Sequence, residues 1–333
     1  MPLSQKPSLS QPPITPFKSD LNQKNSLSDA NLNNSRLSEA SLTANSITHP
    51  IATLTTATTY MAPIKTWLFV PATRLDRVAK AFAKGADAVI VDLEDTVAPY
   101  DKALARQGLQ NYYASGEQRA VWARINQAGT ADFEEDIKLC RQLPQLAGVI
   151  LAKAEQAADI EYLHQATSLP IIALIESAKG LYQLDSLAKA NGVSALSYGF
   201  LDLCNDLNVQ VGTPAAEIIA NQIRYQMLVT SKVHQLWPPI DTIYPDFKDD
   251  EGLHQRVKQW SALGMSGMLC IHPNQIDVIN QACRPTNEQI EFAKKVVDEF
   301  QRSGQAIFQL EGIMVDAPVI ERCRQLLARA ADR

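Results

Sequence analysis

The sequence has little that would carry it into a membrane or onto a nucleic acid. Its apolar runs are short, and Leu169–Ile175 stops far below the roughly 20 residues that span a bilayer. Positive charge is not in excess, since the formal net value is −5, so neither nucleic acid nor membrane is an expected partner. The five cysteines, Cys140, Cys204, Cys270, Cys283 and Cys323, form no CxxC and no Cys/His pairing at zinc-finger spacing. They read as reduced thiols of a cytoplasmic protein. No GxGxxG or GxxxxGK[ST] loop follows any strand candidate, which removes the usual signal of a nucleotide-binding open sheet.

What is present divides the chain in three. Residues 1–60 are dominated by Ser, Asn, Gln, Thr and Pro without helical or strand period, and they are expected to be a disordered, low-complexity extension. They lack the apolar core of a secretory signal, and Asp20, Asp29 and Glu39 argue against a mitochondrial presequence. Met61 opens MAPIKTWLFVPA just ahead of the first strand, so an overextended start and a genuine flexible tail both account for the segment.

From Met61 the chain alternates short aliphatic runs with amphipathic stretches, the pattern of parallel strands joined by helices. Eight strands are expected: Trp67–Val70, Ala88–Leu93, Ala120–Ile125, Gly148–Ala152, Ile171–Ile175, Ala195–Tyr198, Ile240–Ile243 and Met268–Ile271. Apolar spacing of three and four predicts helices over Arg74–Lys84, Phe133–Leu143, Ala215–Leu236 and Leu253–Leu263. The expectation is an α/β fold, a (β/α)8 TIM barrel over residues 61–284. Helical stretches Asn287–Ser303 and Pro318–Ala330, joined by AIFQLEGIMVDAP, exceed what a barrel needs and predict a C-terminal cap or arm over 285–333.

Active sites of such barrels form where the strands end, so polar residues just after each apolar run are informative. Here they are Asp92, Glu94 and Asp95, then Arg124 and Asn126, Lys153 and Glu155, Glu176 and Ser177, Asp202, Asp246 and His272. Singly, each acid reads as a helix cap or a solvated charge. Glu176 and Asp202 follow adjacent strands, and such a carboxylate pair, with room for waters and a chelating substrate, is how Mg²⁺ is usually held. Arg124 reads either as a rim ion pair with an acid such as Glu94 or as a fixed fork aimed at an oxygen gaining charge. Lys153 reads as a barrel-mouth salt bridge, and His272 as a structural hydrogen-bonding residue.

The segments WLFVPA, VDLEDTVAPYDKALAR, WARIN, LAKAE, ALIES, SYGFLDLCNDL and IHPNQI stand in this order from residue 67 to residue 276. The chain thereby resembles the HpcH/HpaI aldolase and citrate lyase superfamily. The likeness is to the branch with the citrate lyase β subunit and the malyl-CoA, β-methylmalyl-CoA and citramalyl-CoA lyases. The resemblance implies Mg²⁺ on Glu176 and Asp202, substrate oxygens contacted by Arg124, and Glu94 supporting that arginine. It implies that Asp316, in MVDAP, reaches the active site of a neighbouring subunit, and that the protein is a homotrimer or hexamer. Lys65 and Arg74 are assigned to the thioester carrier. Lys65-Thr66 replaces the family's Arg-Ser, and Gly267-Met268 replaces its Gly-Lys; both positions are expected near the thioester tail or the substrate carboxylate.

The function this implies is Mg²⁺-dependent cleavage, or formation, of a 3-hydroxy-3-carboxyalkyl thioester such as malyl-CoA or citramalyl-CoA. The products are a small 2-oxo acid and an acyl thioester carried by CoA or an acyl-carrier protein. Two alternatives stay open. One is the citryl-acyl-carrier lyase subunit that releases oxaloacetate, and the other is a non-catalytic metal- and ligand-binding subunit.

Overall fold

Eight parallel strands close on themselves, with β1 hydrogen-bonded to both β2 and β8. The computed structural model describes residues 64–116 and 118–331; the expectations for residues 1–60 and for Met61 lie outside them. The strands are β1 (Thr66–Pro71), β2 (Ala88–Asp92), β3 (Trp122–Ile125), β4 (Gly148–Leu151), β5 (Ile171–Ile175), β6 (Val193–Tyr198), β7 (Ile240–Asp241) and β8 (Gly267–Cys270). Around them run α1 (Val78–Ala83), α2 (Lys102–Ala114), α3 (Ala131–Gln142), α4 (Ala157–Thr167), α5 (Ala178–Tyr182) and α6 (Leu184–Lys189). The ring continues with α7 (Phe200–Asp206), α8 (Pro214–Val233), α9 (Asp250–Leu263) and α10 (Asn274–Ala282). The barrel expectation is met, with strand limits that differ by at most two residues. Among the described residues no helix is long and apolar enough to cross a membrane.

Alternation along each strand sorts side chains into two cores. Trp67, Ile90, Trp122, Ile150, Ile172 and Leu269 fill the barrel, while Leu68, Val89, Val91, Ala123 and Met268 face the helices. Inside, the Trp67 and Trp122 rings meet edge to face at 5.4 Å, an arrangement worth about 0.5–1.5 kcal/mol beyond area burial. Gly148 makes room for them, because a Cβ there would lie 2.2 Å from the Trp122 ring.

Three local departures have physical causes. The helix expected over Arg74–Lys84 starts late: Ala72–Arg77 is a 3-10 segment broken at Arg74 (φ −132°, ψ 48°), whose guanidinium folds onto Asp76. Strand β7 is short because beyond Asp241, whose carboxylate takes Arg224 and the Tyr198 hydroxyl, the Phe200 N–H goes to the Thr242 hydroxyl and not to a backbone carbonyl. The linker AIFQLEGIMVDAP is a hairpin of β9 (Phe308–Leu310) and β10 (Ile313–Val315), turned by Glu311 and Gly312, both at positive φ. It joins α11 (Asn287–Ser303) to α12 (Ala317–Ala331). This arm has its own small core, with Ala293, Val296, Phe308, Val315, Ile320 and Cys323 buried together.

Candidate active site

Period-two alternation carried to the strand ends decides which side chains meet at the barrel axis. Asp92 ends β2 in step with Ile90, Arg124 lies in β3 in step with Trp122, and the two are register partners. The buried Arg124 fork grips Asp92 through Nε–Oδ1 and Nη2–Oδ2, both at 2.7 Å. Burial alone would raise the Asp92 pKa, but the fork outweighs it and holds the carboxyl below its ordinary value. The remaining nitrogen, Nη1, lies 3.3 Å from Glu94 Oε2 and 3.2 Å from Asp95 Oδ2. Beneath, the guanidinium rests 4.7 Å from the Phe69 ring centroid.

Glu176 follows β5 in step with Leu174 and is only 6 % exposed. Burial pushes its carboxyl up to about 7, against the pull of Arg124 and with the help of the Glu94 charge. Burial likewise raises the Glu94 carboxyl, in spite of Arg124 and Lys153. Gly199 leaves room for Glu176 where it stands, since a Cβ there would sit 2.4 Å from Glu176 Oε1. Asp202 lies in the first turn of α7, where the helix dipole favours an acid. Asp95, Glu176 and Asp202 bring one carboxylate oxygen each to within 4.8 Å of one another. A set of hard carboxylate oxygens, one of them on a buried side chain whose proton affinity burial has raised, fits a hard divalent cation.

Lys153 bridges the acids: Nζ donates to Glu94 Oε1 at 2.7 Å, and its backbone N–H donates to Glu176 Oε2 at 2.9 Å. Below the rim, the buried Lys102 ammonium donates to the carbonyls of Leu93 and Glu94, both at 2.8 Å, and to Asn126 Oδ1 at 2.6 Å. The DLED loop is thus stapled to the next strand. A groove of about 910 Å³ opens beside the cluster, and its lining includes Phe69, Asp95 and Arg124 together with Arg74, Arg77, Lys80 and Lys84.

Comparison with known proteins decides the family. The family model for HpcH/HpaI aldolase/citrate lyase matches residues 65–273. The chain belongs to that family. The "Citrate lyase subunit beta-like protein" of Mycobacterium tuberculosis is 35% identical over 274 residues, covering 80% of this chain and 95% of that one. The "(3S)-malyl-CoA thioesterase" of Cereibacter sphaeroides is 29% identical, over 80% of this chain and 95% of its own. Among solved structures, M. tuberculosis CitE in complex with magnesium, acetoacetate and coenzyme A superposes with a TM-score of 0.73 at 33% identity. That match covers 81% of this chain and 99% of CitE.

Against this family background, the expected residues sort clearly. Arg124, Glu94, Glu176 and Asp202 come together at one rim, and Arg74 lines the groove beside them. Lys65 does not. It precedes β1, at the opposite end of the barrel, where its backbone N–H donates to Asp87 and its carbonyl accepts from Met268 N–H. The assignment of Lys65 to the thioester carrier is therefore corrected: the strand separates it from every residue of the rim. The Gly267-Met268 departure lies at that same end, with Met268 buried against the helices. Asp316 stays within the arm of its own chain, its Oδ1 accepting from Val319 N–H as a cap on α12.

Sequence reasoning did not select Asp92 as the Arg124 partner, Asp95 as a third carboxylate, Lys102, Gly199, or the basic residues Arg77, Lys80 and Lys84. Only the first was readable, because Asp92 and Arg124 fall on the inward parity of neighbouring strands.

Proposed function

We propose that this chain is a Mg²⁺-dependent carbon–carbon lyase that cleaves 3-hydroxy-3-carboxyalkyl-CoA thioesters into a 2-oxo acid and an acyl-CoA. The observation that carries the reading is the convergence of Asp95, Glu176 and Asp202 beside the Asp92-anchored Arg124, open to a groove with a basic wall. Asp95, Glu176 and Asp202 would hold the metal. When bound, it supplies Lewis-acid polarisation of the substrate's carboxylate and hydroxyl oxygens.

The chain's own residues do the rest. Asp92 engages two nitrogens of Arg124 and so fixes the third, Nη1, towards the rim, where it stabilises the oxygen that gains charge as the bond breaks. Glu94, whose proton affinity is raised by burial, takes the hydroxyl proton. The acyl fragment leaves as an enolate and needs a proton at carbon, which we assign to Asp316 of a neighbouring copy. Arg74, Arg77, Lys80 and Lys84 receive the phosphates of the CoA tail. We further propose a cytoplasmic homotrimer or hexamer, which sedimentation of the purified protein checks.

The test offers malyl-CoA and citramalyl-CoA with Mg²⁺ and follows both products by chromatography. Acetyl-CoA and a 2-oxo acid in equal amounts are expected. No acetyl-CoA from either, or an undiminished rate in excess chelator, defeats the reading. Free CoA and hydroxy acid would indicate hydrolysis instead, the activity in the name of the C. sphaeroides relative. Asp316→Asn and Glu176→Ala, each inactive alone, should regain part of the activity when unfolded and reassembled together; mixtures that never recover remove the shared site.

A further inference from the structure

Of the charged groups around the carboxylates, Lys153 has the least ordinary backbone. It follows β4 with φ 49°, a left-handed conformation that is costly for a residue with a Cβ. That conformation achieves two contacts at once. The backbone N–H points at Glu176 Oε2, 2.9 Å away, while the side chain returns to the rim. There Nζ lies 2.7 Å from Glu94 Oε1, 3.7 Å from Asp202 Oδ2 and 3.9 Å from Asp95 Oδ1. One residue therefore meets Glu94 and all three carboxylates assigned to the metal.

We propose that Lys153 is a tethered cation that holds the carboxylate cluster assembled before the metal binds and then competes with the metal for the same acids. The proposal rests on reading Asp95, Glu176 and Asp202 as the metal site. Four acids this close would repel one another, and an ammonium among them relieves the repulsion without leaving the chain. A dication entering the cluster meets that ammonium within a few ångströms. Even with water-like screening, repulsion at such a distance changes affinity by about tenfold. The residue is thus a positioning group that trades affinity for a site built in advance. A plain rim salt bridge makes the opposite prediction, because its removal would loosen the site and weaken the metal.

The experiment strips the full-length protein with chelator, titrates it with MgCl₂ by calorimetry, and melts it without and with saturating Mg²⁺. Lys153→Met should bind Mg²⁺ about tenfold more tightly than wild type. It should melt below wild type without metal and recover most of that loss with it. Lys153→Asn removes the charge with a residue that tolerates positive φ, and should shift affinity the same way even where the Met variant does not fold. Lys153→Arg keeps the charge and should stay within a few-fold of wild type. Equal or weaker Mg²⁺ binding in the neutral variants overturns the proposal and leaves the metal site standing, as does a melting loss of the same size with and without Mg²⁺. A wild-type protein that shows neither heat nor a melting shift with Mg²⁺ overturns the metal reading, and the proposal with it.

Discussion

The two ends of the barrel use the same residue type for opposite purposes. At the end where the strands begin, Asp87 accepts from Lys65 N–H at 2.9 Å, Thr66 N–H at 3.0 Å and Thr66 Oγ1 at 2.9 Å, so neutral donors satisfy one carboxylate locally. At the end where the strands finish, the ion pairs that Asp92, Glu94, Asp95 and Asp202 form among the described residues all go to Arg124 and Lys153, and Glu176 lies buried beside them. Acids outnumber cations there, and one of them is held near neutrality by burial. One end closes the fold; the other accumulates negative charge that an added cation relieves. The division of labour along the strand axis is the general rule for this architecture, and here it runs between residues five positions apart, Asp87 and Asp92.

Substitutions that cross this divide should separate activity from stability. The largest effect belongs to Glu176→Gln, which should cut Mg²⁺-dependent turnover by at least about 100-fold, matching wild type in excess chelator. Full turnover in that variant would dismiss the acidic end as a metal site. Next comes pH. Because the folded Glu176 keeps its proton up to about 7 while an ordinary glutamate loses it near 4.5, the metal-free fold loses stability as pH rises across that interval. The loss is up to about 3 kcal/mol and stops growing above 7. Melting curves should show this slope in wild type, lack it in Glu176→Gln, and lose it with Mg²⁺, whose affinity should rise through the same interval.

At the opposite end, Asp87→Ala should cost about 1–3 kcal/mol in chemical denaturation by orphaning the Thr66 donors. The kcat and KM of the folded fraction should stay at wild-type values; a changed KM would mean the ends are coupled. Smaller still is the contrast between basic residues. Arg77→Ala should raise KM for the CoA thioester several-fold, whereas Lys65→Ala should leave it unchanged. A KM increase with Lys65→Ala would restore that residue to the carrier site.

The fold was legible because its signal repeats: eight aliphatic runs at regular spacing, each ending in polar residues, leave few alternatives to a closed parallel sheet. Glu176 and Asp202 were legible for the same reason, since position after a strand is a property of sequence. Contacts made by long side chains were not. Whether Lys153 pairs with Glu94, Asp95 or Asp202 depends on a left-handed backbone that Lys does not advertise. The misplacement of Lys65 has another origin: a motif match fixes residue identity, but only strand direction says at which end of the barrel a flanking residue lies. The β9–β10 hairpin went unread because three-residue strands turned by Glu311 and Gly312 are too short to show alternation, and glutamate is an unusual choice at positive φ.

Gly199 shows that a residue holding no metal can set where a ligand stands. Its φ of −97° and ψ of 94° suit any residue, so nothing in the backbone demands glycine. What demands it is the carboxylate of Glu176, which occupies the space a methyl group would fill. An alanine there would push the Glu176 side chain out of the place it holds, with Glu176, Asp202 and every strand unchanged in sequence. The ligands would all be spelled correctly, with no vacancy for one of them to stand in.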